Sequence, residues 1–362
     1  MEFNLKSILK NAGAFIALII GPGFATGQEI LQFFSSYGYA SYGVVAINLV
    51  GFLFLGQALL IRGYEHREVE QFDHFKFFCG NKLGIFYSYL IPFLLIALVV
   101  VMVSAAGSIL DRFVGNNYMG CAIVVILVPL VNLIRFNTHK RILTATSSII
   151  VGFILLIGTI TVFSGFPHIT GITGYEKLES PRFVPHWIIS AAVYVSFCFL
   201  FCSIFFTKLG QSSENKNDAK WGSIVAVIAI VVAMVIVNTA ILLNAGEIAN
   251  AREIDNEKIP MLYLAKSISY PLSIIASFVF LLGVLASSSG LIRSFMYSPV
   301  CMHHFPEGTK KNKILLLVIS ILIFGCALFP FDKLVGIVVP FIGYMGMIFV
   351  GCVIYKSLKS VI

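Results

Sequence analysis

Apolar positions in this chain neither alternate nor form narrow helical stripes. They come in long runs separated by short polar breaks. Crossing a bilayer takes about 20 mostly apolar residues. Ten runs qualify: 10–36, 41–62, 84–110, 118–135, 141–164, 187–208, 221–244, 270–297, 313–329 and 333–356. The pattern predicts an all-α membrane protein with ten transmembrane helices. Run 118–135 is short, and run 333–356 contains Pro340. Lys6 and Lys10 precede the first run as they would in a signal peptide. That run is too long for one, however, and has no A-x-A-type cleavage site before the next apolar run, so it reads as a true span. Segments 63–83, 165–186, 245–269 and 298–312 are the longer loops, and none can build a soluble core. The apolar patch from Ile259 to Leu264 reads as lying on the protein surface.

Charge sets the orientation. With the N-terminus in the cytoplasm, 18 of the 25 Lys and Arg fall in cytoplasmic segments and 7 in external ones. Lys and Arg concentrate in cytoplasmic loops, so both termini are expected inside. The net charge of +8 is then topology rather than an anion-binding face. Hydrophobic residues make up 58% and charged residues 12%, about half the charge of a soluble domain. This excludes an ordinary soluble protein, a disordered chain and a nucleic-acid binder. The partners expected are the lipid bilayer and a small-molecule solute. The seven Cys are scattered, most of them in apolar runs, and read as small buried hydrophobes. The seven His lie in or near loops, where no ligand set or membrane proton relay forms.

Loop 165–186 divides the spans five and five: residues 1–164, the connecting loop, and residues 187–362. An odd number of spans per half makes the second half enter the membrane from the opposite side, which is the arithmetic of an inverted repeat. The first span carries more specific information. Gly21, Pro22, Gly23 and Gly27 interrupt it near its middle, in G-P-G-F-A-T-G-Q-E. Pro removes a backbone donor and Gly weakens a helix. A break at bilayer depth leaves free backbone groups, tolerated only against protein or a wet cavity. Two readings follow: a kink closed by neighbouring helices, or a discontinuous helix whose backbone binds solute and ion. Glu29 lies just beyond. A carboxylate inside an apolar span is costly unless it faces a polar interior. It has four possible roles: receiving a solute ammonium, carrying a coupling proton, gating the outer side, or bracing the broken helix.

The run from Gly21 to Phe34 resembles the first-helix signature of the YkvI family of bacterial membrane proteins. Weaker echoes occur at residues 259–265 and in the eighth span. The family is placed among amino acid–polyamine–organocation transporters with the LeuT-like fold. The resemblance implies a 5+5 inverted repeat in a bacterial cell (inner) membrane, with spans one and six broken. It also implies a solute held between them, with spans three and eight completing the site. Carried over by residue, the solute site comprises Gly21, Gly23, Phe24, Ala25, Thr26, Gly27 and Glu29, with Ser104 and Ser108 of span three and Tyr194 and Phe197 of span six. A sodium ion is implied between the carbonyls of Ala17 and Ile20 and the span-eight set of Leu285 carbonyl, Ser288 and Ser289 hydroxyls. Residues i, i+3 and i+4 share a helix face, and hard oxygen ligands suit a hard cation. Equally, Ser287, Ser288 and Ser289 suit close helix packing. Span five holds no Lys to replace the ion. Span six departs from the family expectation, because it has neither Gly nor Pro between Trp187 and Lys208.

The chain contains no nucleotide-binding P-loop, catalytic triad or zinc motif, and no enzymatic activity or cofactor is expected beyond sodium as a coupling ion. The function implied is a secondary transporter, sodium- rather than proton-coupled, of an amino acid or similar small zwitterionic solute by alternating access. Backbone N–H groups at the break would take the solute carboxylate. The alternative is a ligand-sensing membrane subunit of the germination-receptor kind, which binds without accumulating.

Overall fold

The computed structural model describes residues 4–69, 72–132, 136–165, 176, 178, 182–254, 257–306 and 309–359. Most of the dividing loop 165–186 lies outside them. The regular elements among the described residues are all helices, with no strand among them. The first span is in three pieces: α1 (Leu5–Ile19), α2 (Pro22–Ala25) and α3 (Gln28–Phe33), followed by a 3-10 helix (Ser35–Ala40). Spans two to five are α4 (Ser41–Glu65), α5 (His74–Val114), α6 (Asn117–Asn132) and α7 (Phe136–Gly165). Spans six and seven are α8 (Trp187–Gln211) and α9 (Lys216–Leu243). Two short helices follow, α10 (Ala245–Ile254) and α11 (Pro260–Ile268), on the side predicted to be external, called the outer side below. The eighth span is α12 (Tyr270–Met296). The short α13 (Pro299–His304) precedes the last two spans, α14 (Lys310–Ala327) and α15 (Phe331–Lys359).

Seven described helices are each long and apolar enough to cross a membrane. The remaining three spans fall short for local reasons. The first is broken, α6 has only 16 residues, and α14 opens with Lys310, Lys311 and Lys313. Helix α8 is unbroken. The expected break in span six is absent because no residue there weakens the helix before Gly210. In this respect the residues themselves, rather than the family expectation, describe the structure.

Packing follows a paired scheme. Helix α4 lies on α8 and α1 lies on α9; α5 lies on α15 and α7 on α12; α4/α9 and α5/α12 pack across the middle. Exchanging spans one to five for six to ten maps these pairs onto one another, in keeping with a 5+5 inverted repeat, while the extensive α8–α15 contact has only a slight counterpart between α1 and α7. Lipid supplies no hydrophobic drive between helices, so close approach must hold them. Gly63 and Gly210 provide it at the inner end of α4 and α8. A methyl on Gly63 would overlap the Thr207 carbonyl, and one on Gly210 the Leu60 carbonyl. Phe15, Phe52, Phe199 and Phe206 fill the space between α1, α4 and α8, with Phe15 and Phe206 ring centroids 4.3 Å apart. Phe93, Ile126, Ile228, Leu282, Ile321 and Ile348 are exposed, as suits side chains facing acyl chains.

Two polar positions are used for packing. Asn238 of α9 accepts from the Ser35 hydroxyl and donates to the Ser41 hydroxyl, each at 2.8 Å. His74, read from sequence as a loop residue, is buried in the first turn of α5, with Nε2 3.0 Å from the Ser203 hydroxyl of α8. That hydroxyl donates to the Leu200 carbonyl, so it accepts from His74 Nε2–H. This is a helix-to-helix clamp.

Candidate functional site

The site is built around the interruption of the first span. Ile20 leaves the helix with ψ 81°, and Pro22 has no N–H to continue it. The Gly21 N–H bonds the Ile19 carbonyl at 3.0 Å, so it is turned away from Ala17, its partner in a regular helix. One helical turn, α2, follows. The chain then passes Gly27 in the left-handed region (φ 76°) and re-enters the helix as α3. Only Gly adopts this geometry without strain. A side chain there would also come within 2.8 Å of Met261 Cγ.

Thr26 closes the turn. Its hydroxyl donates to the Gly23 carbonyl at 2.8 Å and accepts from the Gln28 N–H at 3.4 Å. Its carbonyl accepts the Met261 N–H of α11 at 3.1 Å. Cys202 of α8 donates its thiol to the Leu18 carbonyl at 3.4 Å. The backbone groups released by the break are thus partly taken up by neighbouring elements, as bilayer depth demands.

The expected solute residues separate into two groups. Phe24, Ala25, Thr26, Gly27, Tyr194 and Phe197 are buried around the break. Gly21, Gly23 and Glu29 are only half-buried, and open space lies beside Gly21. Glu29 bends back over α2. One carboxylate oxygen accepts the Tyr194 hydroxyl at 3.1 Å, and the other lies against Gly23, where a methyl would overlap it. Tyr194 is held among Phe33, Phe34 and Phe197, with ring centroids 5.7, 5.0 and 6.2 Å away. The protein's own carboxylate therefore lies against Gly23, one of the residues expected at the solute site. Ser104 is committed elsewhere: its hydroxyl donates to the Phe329 carbonyl at 2.9 Å, bracing α5 against the α14–α15 turn. Ser108 lies one turn further along α5, half-buried.

Around the implied ion, Ser288 and Ser289 are fully buried. The Ser289 hydroxyl donates to the Ala286 carbonyl at 2.9 Å. The Ser288 hydroxyl has no hydrogen-bond partner among the described residues. Ile20 is buried, Ala17 and Leu285 are half-buried, and α12 packs against α2. An orphaned hydroxyl in a dry interior is unfavourable by about 1–3 kcal/mol unless something ligates it.

Sequence reading missed the closure above the break. The patch Ile259–Leu264 does not lie on the surface. Ile259, Met261, Leu262 and Leu264 are buried, and α11 caps the break through Met261. Four further ties hold the outer side of the break. Arg112 of α5 pairs with Glu257 at 3.1 Å. Arg252 of α10 donates to Gln28 Oε1 at 3.0 Å and pairs with Asp332 of α15 at 3.4 Å. Gln32 donates to the Asp332 carbonyl at 2.7 Å. Burial pulls the Arg252 guanidinium below its usual range, and Asp332 opposes that shift. Gln28 Nε2, Gln32 Oε1 and Asp332 Oδ1 are buried without hydrogen-bond partners among the described residues. Gln28 and Gln32, at i and i+4 on one helix face, were the available sequence signal. Arg252 and Asp332 gave none, because their partners are distant in sequence. On the opposite side, Asn11 donates to Ser213 at 3.2 Å and Asn4 to Glu214 at 3.0 Å, tying α1 to the α8–α9 turn.

No protein-family model matches the chain. A Bacillus subtilis (strain 168) protein, "Uncharacterized membrane protein YkvI", is 22% identical over 366 residues, 99% of this chain and 98% of that protein. Among solved structures, the inward-facing conformation of Mhp1 superposes with TM-score 0.55 at 14% identity, over 94% of this chain and 73% of that one. The Eremococcus coleocola manganese transporter, in complex with an aromatic bis-isothiourea substituted compound, gives TM-score 0.51 at 17% identity, over 89% and 71%. The chain is thus a multi-pass membrane protein, similar to YkvI along nearly its full length, with the ten-helix LeuT-like fold.

Proposed function

We propose that this protein is a secondary active transporter, with no enzymatic activity, that moves a small amine-bearing solute by alternating access. It would sit in a bacterial cell membrane with both termini cytoplasmic. The observation that carries this reading is the break of span one. A single carboxylate, Glu29, is half-buried there at membrane depth, held by Tyr194, whose ring packs among Phe33, Phe34 and Phe197. A buried charge in a membrane protein marks a pathway more often than a brace. The outer ties through Arg252, Glu257 and Met261 and the inner ties through Asn4 and Asn11 provide two sets of contacts that can be broken in turn.

Sodium is the coupling ion in this proposal. Its ligands would be the carbonyls of Ala17, Ile20 and Leu285 and the hydroxyls of Ser288 and Ser289. The unpartnered Ser288 hydroxyl and the displaced Gly21 N–H support the assignment. The manganese in the neighbour's name is not carried over. Among the described residues no three His, Cys, Asp or Glu side chains converge as metal donors, and the Cys202 thiol is engaged by Leu18.

The test is uptake into proteoliposomes containing the full chain, driven by an inward sodium gradient, across a panel of labelled amines and amino acids. Concentrative uptake that collapses with the gradient is expected. Specific binding without accumulation in any gradient would refute transport and favour the sensing role.

A further inference from the structure

We infer that the solute is an organic cation, an amine lacking a free carboxylate, rather than a zwitterionic amino acid. This rests on the transporter reading and sharpens it. The break is surrounded by α5, α7 and α12 around α2, and by α8, α9 and α15 around α3. Their membrane-depth segments can be searched for charge directly. Residues 11–61 contain one charged side chain, Glu29. Residues 83–110, 142–164, 187–207, 221–243 and 270–292 contain none. On α15, Asp332 and Lys333 stand at the outer end and the next charge is Lys356. The region of the break therefore has one carboxylate and no basic side chain at its depth.

The basic group linked to this region, Arg252, is already shared between Gln28 Oε1 and Asp332 Oδ2. Glu29 itself already occupies the face of Gly23 and the Tyr194 hydroxyl: one of its oxygens lies against the former and the other holds the latter. A zwitterion would bring its anionic end to membrane depth beside a resident carboxylate, with no basic side chain to receive it. An ammonium meets the opposite situation. Glu29 neutralises it, and the aromatic rings of Phe24, Tyr194 and Phe197 add cation–π attraction where they face it. At an effective dielectric near 20, unit charges about 4 Å apart interact strongly enough to separate the two classes by well over about ten-fold in affinity.

The experiment compares matched pairs that differ only by the carboxylate: tyramine with tyrosine, phenethylamine with phenylalanine, and isoamylamine with leucine. Each is titrated against the purified full chain, read by thermal melting in sodium. At least one amine is expected to reach half-maximal stabilisation at a concentration at least about ten-fold below its parent amino acid. Glu29→Gln should reduce that gap to less than about three-fold. Because Glu29→Gln could compromise folding, Tyr194→Phe provides a second variant that keeps the ring and should narrow the gap in the same direction. Amino acids that stabilise as well as their amines, or a panel in which no amine shifts the melt, would overturn the inference. Proteoliposome accumulation of the same compounds separates the two proposals. An amine that binds without accumulating refutes transport but keeps the ligand class. Accumulation of an amino acid keeps transport and refutes the class.

Discussion

Ser288→Ala is the most discriminating substitution, because its sign should reverse with the cation present. The wild-type hydroxyl is fully buried and lacks a partner among the described residues. Without sodium, removing it relieves part of a desolvation cost of about 1–3 kcal/mol and creates a void only one oxygen in size. In potassium the variant should therefore melt at or above the wild-type temperature. In sodium the order should invert. A site held at a hundred times its Kd stabilises the fold by about 2.7 kcal/mol. Loss of one ligand among five, at about 1.4 kcal/mol, raises Kd about ten-fold. That cuts the sodium stabilisation by about half, a difference of roughly 1–2 °C for each kcal/mol in a chain of this size. Ser289→Ala serves as the internal comparison. Its hydroxyl already donates to Ala286, so its removal should lower the melt in both salts by about 0.5–1.5 kcal/mol as well as weaken sodium. The assay is a sodium titration of the melting temperature at constant ionic strength, with potassium as replacement. A Ser288→Ala curve superimposable on wild type, or an equal drop in both salts, would refute the ion assignment and leave Ser288 as a packing residue.

Three further outcomes follow from other contacts. Arg252→Gln breaks the tie among α3, α10 and α15, and should cost about 1–3 kcal/mol of the outer closure; amide hydrogen exchange over residues 257–268 should accelerate at least about ten-fold, and unchanged exchange would remove Arg252 as a latch. Gly27→Ala forces an L side chain into the left-handed region, costing about 1–2 kcal/mol, and drives it at Met261. The melt should fall and the Met261 amide should lose protection; wild-type values for both would contradict the described turn. Gly210→Ala forces α8 away from the Leu60 carbonyl and should destabilise by about 1–3 kcal/mol, read as lower folded yield and melting temperature, whereas an unchanged melt would show that the α4–α8 contact is looser than described.

How far the sequence reached can be traced element by element. Long apolar runs and the lysine and arginine bias specified the spans and their predicted direction, because lipid imposes hydropathy on each segment separately. The interruption at Gly21–Gly27 was visible for the same local reason: proline and glycine weaken a helix wherever they stand. The continuity of α8 was equally local, and the lack of glycine and proline there described it better than family analogy did. What the tertiary structure decided involves partners far apart in the chain. The Glu29 carboxylate meets a hydroxyl 165 residues away, so its direction is absent from the local pattern. The apolar patch at Ile259–Leu264 could rest on a surface or enter a cavity, and only the gap above Thr26 and Gly27 determined which. Arg252 and Asp332, 80 residues apart, are each unremarkable on the sequence. Ser104 and Ser288 are both serines on apolar helices, and no sequence rule separates the one that braces a turn from the one left without a partner. Hydropathy and backbone propensity act residue by residue and can be read in order along the chain; the direction of a polar side chain depends on what folds against it.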